Sequence, residues 1–193
     1  MRFRLLAYAG SFFCVILMEL NLWENAMLEC FFPDEIMDSS YVINYEKLFA
    51  DGIRGIIYDI DNTLVEHGFP ADERSIELID RLKAIGYKIV FLSNNKEPRV
   101  KMFNDAVGAK YIYKANKPAK GGYLRAMEMM GTDTASTIFI GDQIFTDIWG
   151  AKKCGIRNIL VKPIDRHEEI QIVIKRRLEA IVLYFYYRKN GVR

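Results

Sequence analysis

An apolar run, Gly55-Ile56-Ile57-Tyr58, leads directly into two acidic residues, Asp59 and Asp61. The run is short and is bounded by glycine on one side and by polar residues on the other, which predicts a buried strand. In open α/β sheets, ligands bind beyond the carboxyl ends of the strands, so both acids are expected at a functional edge. Two carboxylates this close repel each other, and Mg²⁺ is a suitable compensating ion because it prefers oxygen ligands.

Short apolar strands alternate with amphipathic helices through the chain after Pro33. The predicted strands are Gly55–Asp59, Lys88–Leu92, Tyr111–Tyr113, Thr137–Ile140 and Asn158–Val161. The predicted helices are Tyr45–Ala50, Glu73–Ile85, Glu97–Val107, Gly121–Met130, Thr146–Cys154 and Glu168–Arg188. Four of these helices are followed by glycine, the residue that best adopts a left-handed helix end. This alternation predicts an α/β fold, a Rossmann-like three-layer arrangement with a parallel sheet covered on both faces.

The composition is that of one globular domain. The chain has 193 residues, of which 51% are hydrophobic and 27% charged, and its net charge of +2 is too small to indicate a nucleic-acid binder. Its three cysteines are scattered, which favours a reducing compartment over a disulfide framework or a zinc cage. Two histidines argue against Ser-His-Asp hydrolysis and against a histidine-rich metal site.

The two ends of the chain differ from the middle. Residues 1–26 contain two arginines followed by an apolar run from Leu5 to Met18, which is shorter than the ~20 residues of a membrane span. We expect either a short apolar anchor or a dispensable extension, with Met27 as a possible natural start, and a hydrolase domain over residues 27–193.

The predicted C-terminal helix combines an apolar stripe with basic and aromatic residues. The basic residues are Lys175, Arg176, Arg177, Arg188 and Lys189, and the aromatic ones are Tyr184, Tyr186 and Tyr187. Two interpretations remain open: a helix that covers the core with a solvated basic face, or an interfacial helix that contacts anionic lipid.

Polar clusters follow four of the predicted strands. They are Asp59-x-Asp61-x-Thr63, Ser93-Asn94-Asn95, Lys117-Pro118 and Gly141-Asp142-x-x-x-Thr146-Asp147. In a parallel sheet these four strand ends meet at one edge. A site with four carboxylates, a lysine, hydroxyls and amides suits phosphoryl transfer, because a carboxylate can attack phosphorus while Mg²⁺ and lysine neutralise the transferring oxygens.

The four clusters, in this order, resemble the four motifs of the haloacid dehalogenase superfamily. The likeness to its YqeG-type branch is closer and runs from about Met27 to the C-terminal helix. It is carried by Phe31-Phe32-Pro33-Asp34, Gly55-Ile56-Ile57, Asn62-Thr63-Leu64-Val65, Tyr113-Lys114-Ala115 and Lys117-Pro118. That branch dephosphorylates phosphatidylglycerophosphate, so the resemblance implies a Mg²⁺-dependent phosphatase acting on a phospholipid.

The resemblance also implies a role for each motif residue. Asp59 would be the nucleophile, and Asp61 would protonate the leaving alkoxide and then activate water. Ser93, Asn94 and Lys117 would hold the phosphate. The metal would be bound by Asp59, by the backbone carbonyl of Asp61 and by Asp142, while Asp147 would support the metal shell or orient Lys117.

Each cluster taken alone has a simpler interpretation. Ser93-Asn94-Asn95 is typical of a turn or helix cap, Thr63 of a cap, and Lys117, Glu66 and His67 of solvated residues. Only the ordered set favours the catalytic assignment.

The intervals between the motifs are short. Neither the interval from Thr63 to Ser93 nor that from Ser93 to Lys117 can hold a cap domain, so an open site is predicted, suited to a large substrate or one at a surface. We therefore expect a cytoplasmic, peripherally membrane-associated enzyme with a phospholipid substrate, an anionic membrane surface as its contact, and neither nucleic acid nor an obligate protein as partner. A phosphatase for a soluble sugar phosphate or nucleotide and a non-catalytic binding module of the same fold are the alternatives.

Overall fold

The computed structural model describes residues 28–165 and 170–191, and for residues 170–174 the backbone only. The apolar N-terminal segment, residues 1–26, lies outside the described residues, so its interpretation as an anchor or an extension stays a prediction.

Six parallel strands form one sheet in the order β1-β6-β5-β2-β3-β4. The strands are β1 (Glu35–Met37), β2 (Gly55–Tyr58), β3 (Lys88–Leu92), β4 (Lys110–Ile112), β5 (Thr137–Gly141) and β6 (Arg157–Val161). β2 lies centrally, with Gly55 opposite Lys88 of β3 on one side and Thr137 of β5 on the other. The acidic pair that follows β2 therefore emerges between two neighbouring strands at the carboxyl edge.

Helices cover both faces of the sheet. They are α1 (Tyr45–Ala50), α2 (Glu73–Ile85), α3 (Glu97–Val107), α4 (Lys120–Met130), α5 (Trp149–Lys153) and α6 (Ile170–Asn190). Alternate residues of β2 enter different cores: Ile56 and Tyr58 pack with α2 and α3, and Ile57 packs with α4 and α5. The strand period of two thus produces the predicted three-layer α/β arrangement.

The C-terminal helix α6 covers the β1–β6 side of the molecule. Val182 is buried in a cluster with Phe32, Ile144 and Leu160, and Leu183, Phe185 and Tyr186 pack against that cluster. The core-covering interpretation of this helix is therefore correct for one of its faces.

Two local features differ from the sequence prediction. β1 was not predicted, because three half-buried residues at a sheet edge are too few to show a periodic pattern. The helix predicted over Thr146–Cys154 is split into a π-helical turn at Ile144–Ile148 and the short α5. π-Helical turns occur frequently at functional sites, and this one contains Asp147.

The chain between the motifs contains no inserted domain within residues 28–165, all of which are described. Between Thr63 and Ser93 lie only α2 and β3, and between Ser93 and Lys117 only α3 and β4. Within the described residues, none of the helices combines the length and the apolar character that a membrane crossing requires.

Candidate active site

The four polar loops meet at the carboxyl edge of the sheet and surround a cavity of about 200 Å³, here called the site cavity. Its lining residues are Asp59, Asp61, His67, Ser93, Asn94, Asn95, Lys117, Gln143, Thr146 and Lys175. Residues that lie up to 116 positions apart in sequence, Asp59 and Lys175, thus share one small space.

Lys117 is buried between two carboxylates. Its Nζ donates to Asp59 Oδ1 and to Asp147 Oδ1, both at 2.7 Å. Burial acts to lower the pKa of Lys117, but the charges of Asp147 and Asp59 outweigh it and raise the pKa, so the lysine stays protonated. Asp59 Oδ2 makes no hydrogen bond with any described residue.

Burial controls the charge of Asp59. Desolvation raises the pKa of this carboxyl to about 7; Lys117 opposes the rise, and Asp147 adds to it. A carboxylate with this environment gains stability from any further cation that reaches it.

Three buried carboxylates form the acidic cluster, defined as Asp59, Asp142 and Asp147. One oxygen from each lies within 4.8 Å of the others. Burial and the neighbouring Asp147 raise the pKa of Asp142 well above its usual range, although Arg176 opposes them. The donor set consists of hard oxygen ligands, so the residues present fit a small divalent cation such as Mg²⁺.

Gly141 lets the fourth loop fold tightly over the sheet edge. A Cβ at this position would lie 2.6 Å from Asp147 Oδ2, so a side chain there would displace that carboxylate. The same oxygen accepts the backbone N–H of Gln143 at 3.0 Å. The Gly141-Asp142 pair of this motif therefore has a steric reason. Glycine leaves room for the Asp147 carboxylate, and the next residue, Asp142, belongs to the acidic cluster.

Asp61 faces a different group of partners. Its Oδ1 accepts hydrogen bonds from Gly68 N and from Arg99 Nε and Nη2, at 2.8, 3.1 and 2.7 Å. Its Oδ2 accepts one, from Asn95 Nδ2 at 2.7 Å. The adjacent Asn62 has a φ of +62°, a conformation that asparagine tolerates, and this turns the chain sharply after the acidic pair.

Ser93 and Asn94 are both in the site cavity but are used differently. Ser93 is buried, and its Oγ accepts the N–H of Asn95 at 3.1 Å, which leaves its hydroxyl proton for another acceptor. The Asn94 side chain accepts the N–H of Lys117 at 2.7 Å and donates to the Lys117 carbonyl at 3.1 Å. These two hydrogen bonds favour a role for Asn94 in positioning Lys117, instead of the direct phosphate contact that the resemblance implied.

The C-terminal helix reaches the acidic cluster through Arg176. Its guanidinium forms an ion pair with Asp142 Oδ2, donates to the Asp142 carbonyl at 2.6 Å and pairs with Glu179 at 2.9 Å. Glu179 in turn accepts the N–H of Ile144 at 2.7 Å. The Arg176 side chain therefore turns inward and compensates buried acids, while contact of the helix with anionic lipid stays a prediction.

Sequence reasoning missed several residues at this edge. Arg99 and Asn95 hold Asp61, and the exposed side chains of His67 and Lys175 line the site cavity. The available signal for Asn95 was its place in the polar cluster that follows β3, whereas Arg99, in the first turn of α3, had no such signal. His67 and Lys175 had none.

Comparisons with known proteins agree with this geometry. A family profile described as haloacid dehalogenase-like hydrolase matches residues 66–155. "Probable phosphatase YqeG" of Bacillus subtilis (strain 168) is 38% identical over 169 residues, which cover 86% of this chain and 98% of that protein.

Two plant-lineage relatives are longer than this chain. The "Phosphatidylglycerophosphate phosphatase 1, chloroplastic/mitochondrial" of Arabidopsis thaliana is 31% identical, over 77% of this chain and 46% of that protein. The chloroplastic phosphatidylglycerophosphate phosphatase 1 of Chlamydomonas reinhardtii is 27% identical, over 71% of this chain and 55% of that protein. The chain thus spans about half the length of these two relatives.

A solved structure shares the fold. The cobalt-bound deoxy-D-mannose-octulosonate 8-phosphate phosphatase of Haemophilus influenzae superposes with a TM-score of 0.50 at 16% identity, over 72% of this chain and 91% of that one.

Proposed function

The chain belongs to the haloacid dehalogenase-like hydrolases as a phosphatase of the YqeG type, and we propose that it removes the terminal phosphate of phosphatidylglycerophosphate. The observation that carries the chemistry is Asp59: one of its oxygens is held by Lys117 at 2.7 Å, and the other makes no hydrogen bond with the described residues, in a cavity that also contains Ser93 and Asp61.

The reaction has two displacements. Asp59 Oδ2 attacks phosphorus, the bond from phosphorus to the glycerol oxygen breaks, and Asp61 gives its proton to that oxygen. Asp61 then takes a proton from water, the water oxygen attacks the aspartyl-phosphate, and inorganic phosphate leaves as Asp59 is regenerated. Of the two oxygens of Asp61, Oδ2 has one hydrogen-bond donor and Oδ1 has three, so Oδ2 is the oxygen free to exchange the proton.

The remaining polar residues bind and orient the substrate. Ser93 donates its hydroxyl and Lys117 its ammonium to the phosphoryl oxygens, and Asn94 fixes the backbone from which Lys117 projects. Arg99 and Asn95 hold Asp61 in place. Preorganised donors of this kind stabilise the charge that develops on the transferring group.

The acidic cluster would hold Mg²⁺. Asp59, Asp142 and Asp147 supply the carboxylates, and Asp61 would add its backbone carbonyl. When bound, Mg²⁺ would neutralise the phosphoryl oxygens and the nucleophile, the role that metal ions play in phosphoryl transfer.

The shape of the site supports a lipid headgroup. A cavity of about 200 Å³ can accept a phosphate and a glycerol but not acyl chains, and no inserted domain covers it in residues 28–165. The acyl chains would therefore remain outside the protein, as they do when a substrate is presented at a bilayer. Two relatives named as phosphatidylglycerophosphate phosphatases support the same choice.

The outward face of α6, defined as Arg177, Leu178, Ile181, Tyr184 and Arg188, would contact that bilayer. All five residues are exposed, and Leu178, Ile181 and Tyr184 are 51%, 53% and 60% exposed although they are large and apolar. Apolar residues flanked by arginines are typical of helices that lie in an anionic membrane interface. Lys189 is less available because it pairs with Glu29. Peripheral attachment through this face is part of the proposal.

A substrate panel tests the function. Phosphate release from phosphatidylglycerophosphate in mixed micelles is compared with release from glycerol 3-phosphate, a sugar phosphate and a nucleotide, each with and without Mg²⁺. We expect kcat/KM for the lipid to exceed the others by at least about a hundredfold, which corresponds to roughly 2.7 kcal/mol of differential transition-state binding.

The inactive Asp59→Asn protein serves as the control for contaminating phosphatases. A preference for a soluble ester would contradict the lipid substrate and support the soluble phosphoester alternative. Absence of Mg²⁺-dependent turnover on every substrate would support the binding-module alternative.

A further inference from the structure

The site cavity extends past the residues assigned to the reacting phosphate. Its lining includes Ser93 and Lys117, which are assigned to that phosphate, and also Gln143, Thr146 and Lys175, which are not. Lys175 belongs to α6, and its side chain is exposed at the mouth of the cavity. Lys175 has no role in the proposed reaction.

Within residues 28–165 and 175–191, Lys175 differs from Lys117 and Arg99 in having no acidic partner. Lys117 is held by Asp59 and Asp147, and Arg99 is held by Asp61. Among the described residues, no carboxylate forms an ion pair with Lys175. An ammonium that none of these carboxylates neutralises, at a site that binds anions, is available to a ligand oxygen, and lysine is a common phosphate-binding residue.

The backbone of α6 at Lys175 is fixed beside the site. The next residue, Arg176, is tied to Asp142 and to Glu179. One turn further, Leu178 and then Ile181 are exposed on the outward face. Along the helix, Lys175 therefore lies between the site cavity and the apolar surface. In a membrane lipid, the remaining headgroup likewise lies between the reacting phosphate and the acyl chains.

We propose that Lys175 binds the second phosphate of the substrate, the phosphodiester that joins the glycerol headgroup to the lipid. This inference rests on the proposed function, because only a headgroup with a phosphodiester three carbons from the scissile phosphomonoester offers that anion. Lys175 is then a specificity-determining residue: it distinguishes a substrate with two phosphates from a simple phosphomonoester.

Steady-state kinetics on monomeric substrates tests the proposal without a membrane. Dihexanoyl phosphatidylglycerophosphate below its micelle concentration carries both phosphates, and p-nitrophenyl phosphate carries only the monoester. We expect Lys175→Gln to raise KM for the short-chain lipid about tenfold or more, the loss of one charge-assisted hydrogen bond, with KM for p-nitrophenyl phosphate changed by less than about twofold.

Two further variants sharpen the test. Lys175→Arg keeps the charge and should recover most of the affinity for the lipid. Lys96→Gln removes an exposed lysine that neighbours the cavity residue Asn95 but does not line the cavity, and should leave the ratio of the two KM values unchanged. Higher salt should reduce the difference between wild type and Lys175→Gln, because an exposed charge is screened.

The other outcomes are distinguishable. Equal increases of KM on both substrates would show that Lys175 acts on the reacting phosphate, and unchanged KM on both would show that it has no part in binding; either result overturns the proposal. Wild-type protein that hydrolyses p-nitrophenyl phosphate but not the short-chain lipid would overturn the lipid function itself, and the role of Lys175 with it.

Discussion

Lys117, Arg99 and Arg176 at the catalytic edge pair with buried carboxylates, whereas the charges on the outward face of α6 are exposed to solvent. Arg176 and Arg177 are neighbours in sequence, yet the first binds Asp142 and Glu179, and the second faces water. A buried charge depends on its own partner because removal of one member leaves the other uncompensated in a medium of low polarity. The exposed charges of the outward face are individually weak and screened by salt, so they act on a membrane surface as a group.

The largest effect is expected at the buried nucleophile. Asp59→Asn should leave essentially no turnover on any phosphoester, because an amide is a poor nucleophile and a weaker metal ligand. Phosphate release measures this, and mass spectrometry verifies that the asparagine has not deamidated. Activity comparable to wild type in the intact variant would remove Asp59 from the mechanism. Asp61→Asn is the companion variant, with an expected loss of ~10²–10⁴-fold from the absent proton transfer.

Metal removal should have a similar effect on activity and should be reversible. EDTA should abolish turnover and excess Mg²⁺ should restore it, because the buried carboxylates of the acidic cluster would lose the ion that is proposed to compensate them. Full activity after thorough chelation would contradict the metal assignment.

The acidic cluster also predicts how the stabilising effect of Mg²⁺ on the folded protein depends on pH. The raised pKa of Asp59, about 7, means that the folded protein holds a proton which the unfolded chain releases near pH 4. The metal-free protein therefore loses stability as the pH rises from about 4 to about 7. Mg²⁺ competes with that proton, so it should raise Tm more at pH 8 than at pH 5. Equal shifts at the two pH values would contradict this coupling.

An intermediate effect should separate the two neighbouring arginines. Arg176→Gln should lower the free energy of unfolding by roughly 2–3 kcal/mol, less than the ~3–5 kcal/mol of a fully buried pair because the arginine is itself 20% exposed. Arg177→Gln, the matched control, should remain within about 0.5 kcal/mol of wild type. Urea denaturation followed by circular dichroism measures both free energies of unfolding. Similar values for the two variants would contradict the difference between the paired and the exposed arginine.

The smallest effects should occur on the outward face. The double variant Arg177→Gln and Arg188→Gln should weaken binding to anionic vesicles about tenfold or more, since each basic residue near such a surface contributes about 1 kcal/mol. Turnover of a small soluble phosphoester should not change. Lys101→Gln with Arg125→Gln removes the same charge from α3 and α4 and should bind vesicles like wild type. Equal losses in the two double variants would indicate that only net charge matters.

The sequence alone was sufficient for most of the regular elements, the edge strand β1 and the π-helical turn excepted. The bounds of α1, α2, α3 and β3 match the prediction, and the other four predicted strands differ by one residue at one end or at both. Glycines after α2, α3 and α4 adopt the left-handed conformation that was expected. These features are local: hydrophobic period and the conformational freedom of glycine act within a few residues, so the sequence displays them directly.

The sequence also grouped the site residues, because parallel strands bring their carboxyl ends together whatever the intervening chain contains. It could not assign their partners. Arg99 on Asp61, Asn94 on the Lys117 backbone and Arg176 on Asp142 are contacts across 38, 23 and 34 residues. Nothing in the sequence near either member of these pairs indicates the other.

The direction of each side chain on α6 was likewise a matter of tertiary structure. Successive helical residues point about 100° apart, so a basic stretch necessarily distributes its charges over several directions. Which of them turns inward depends on how the helix packs against the sheet, where Val182 and Leu160 set its rotation. The sequence thus determined that the chain has a phosphatase motif set and a basic C-terminal helix. Only packing decided that one arginine of that helix compensates the acidic cluster while its neighbour remains on the surface.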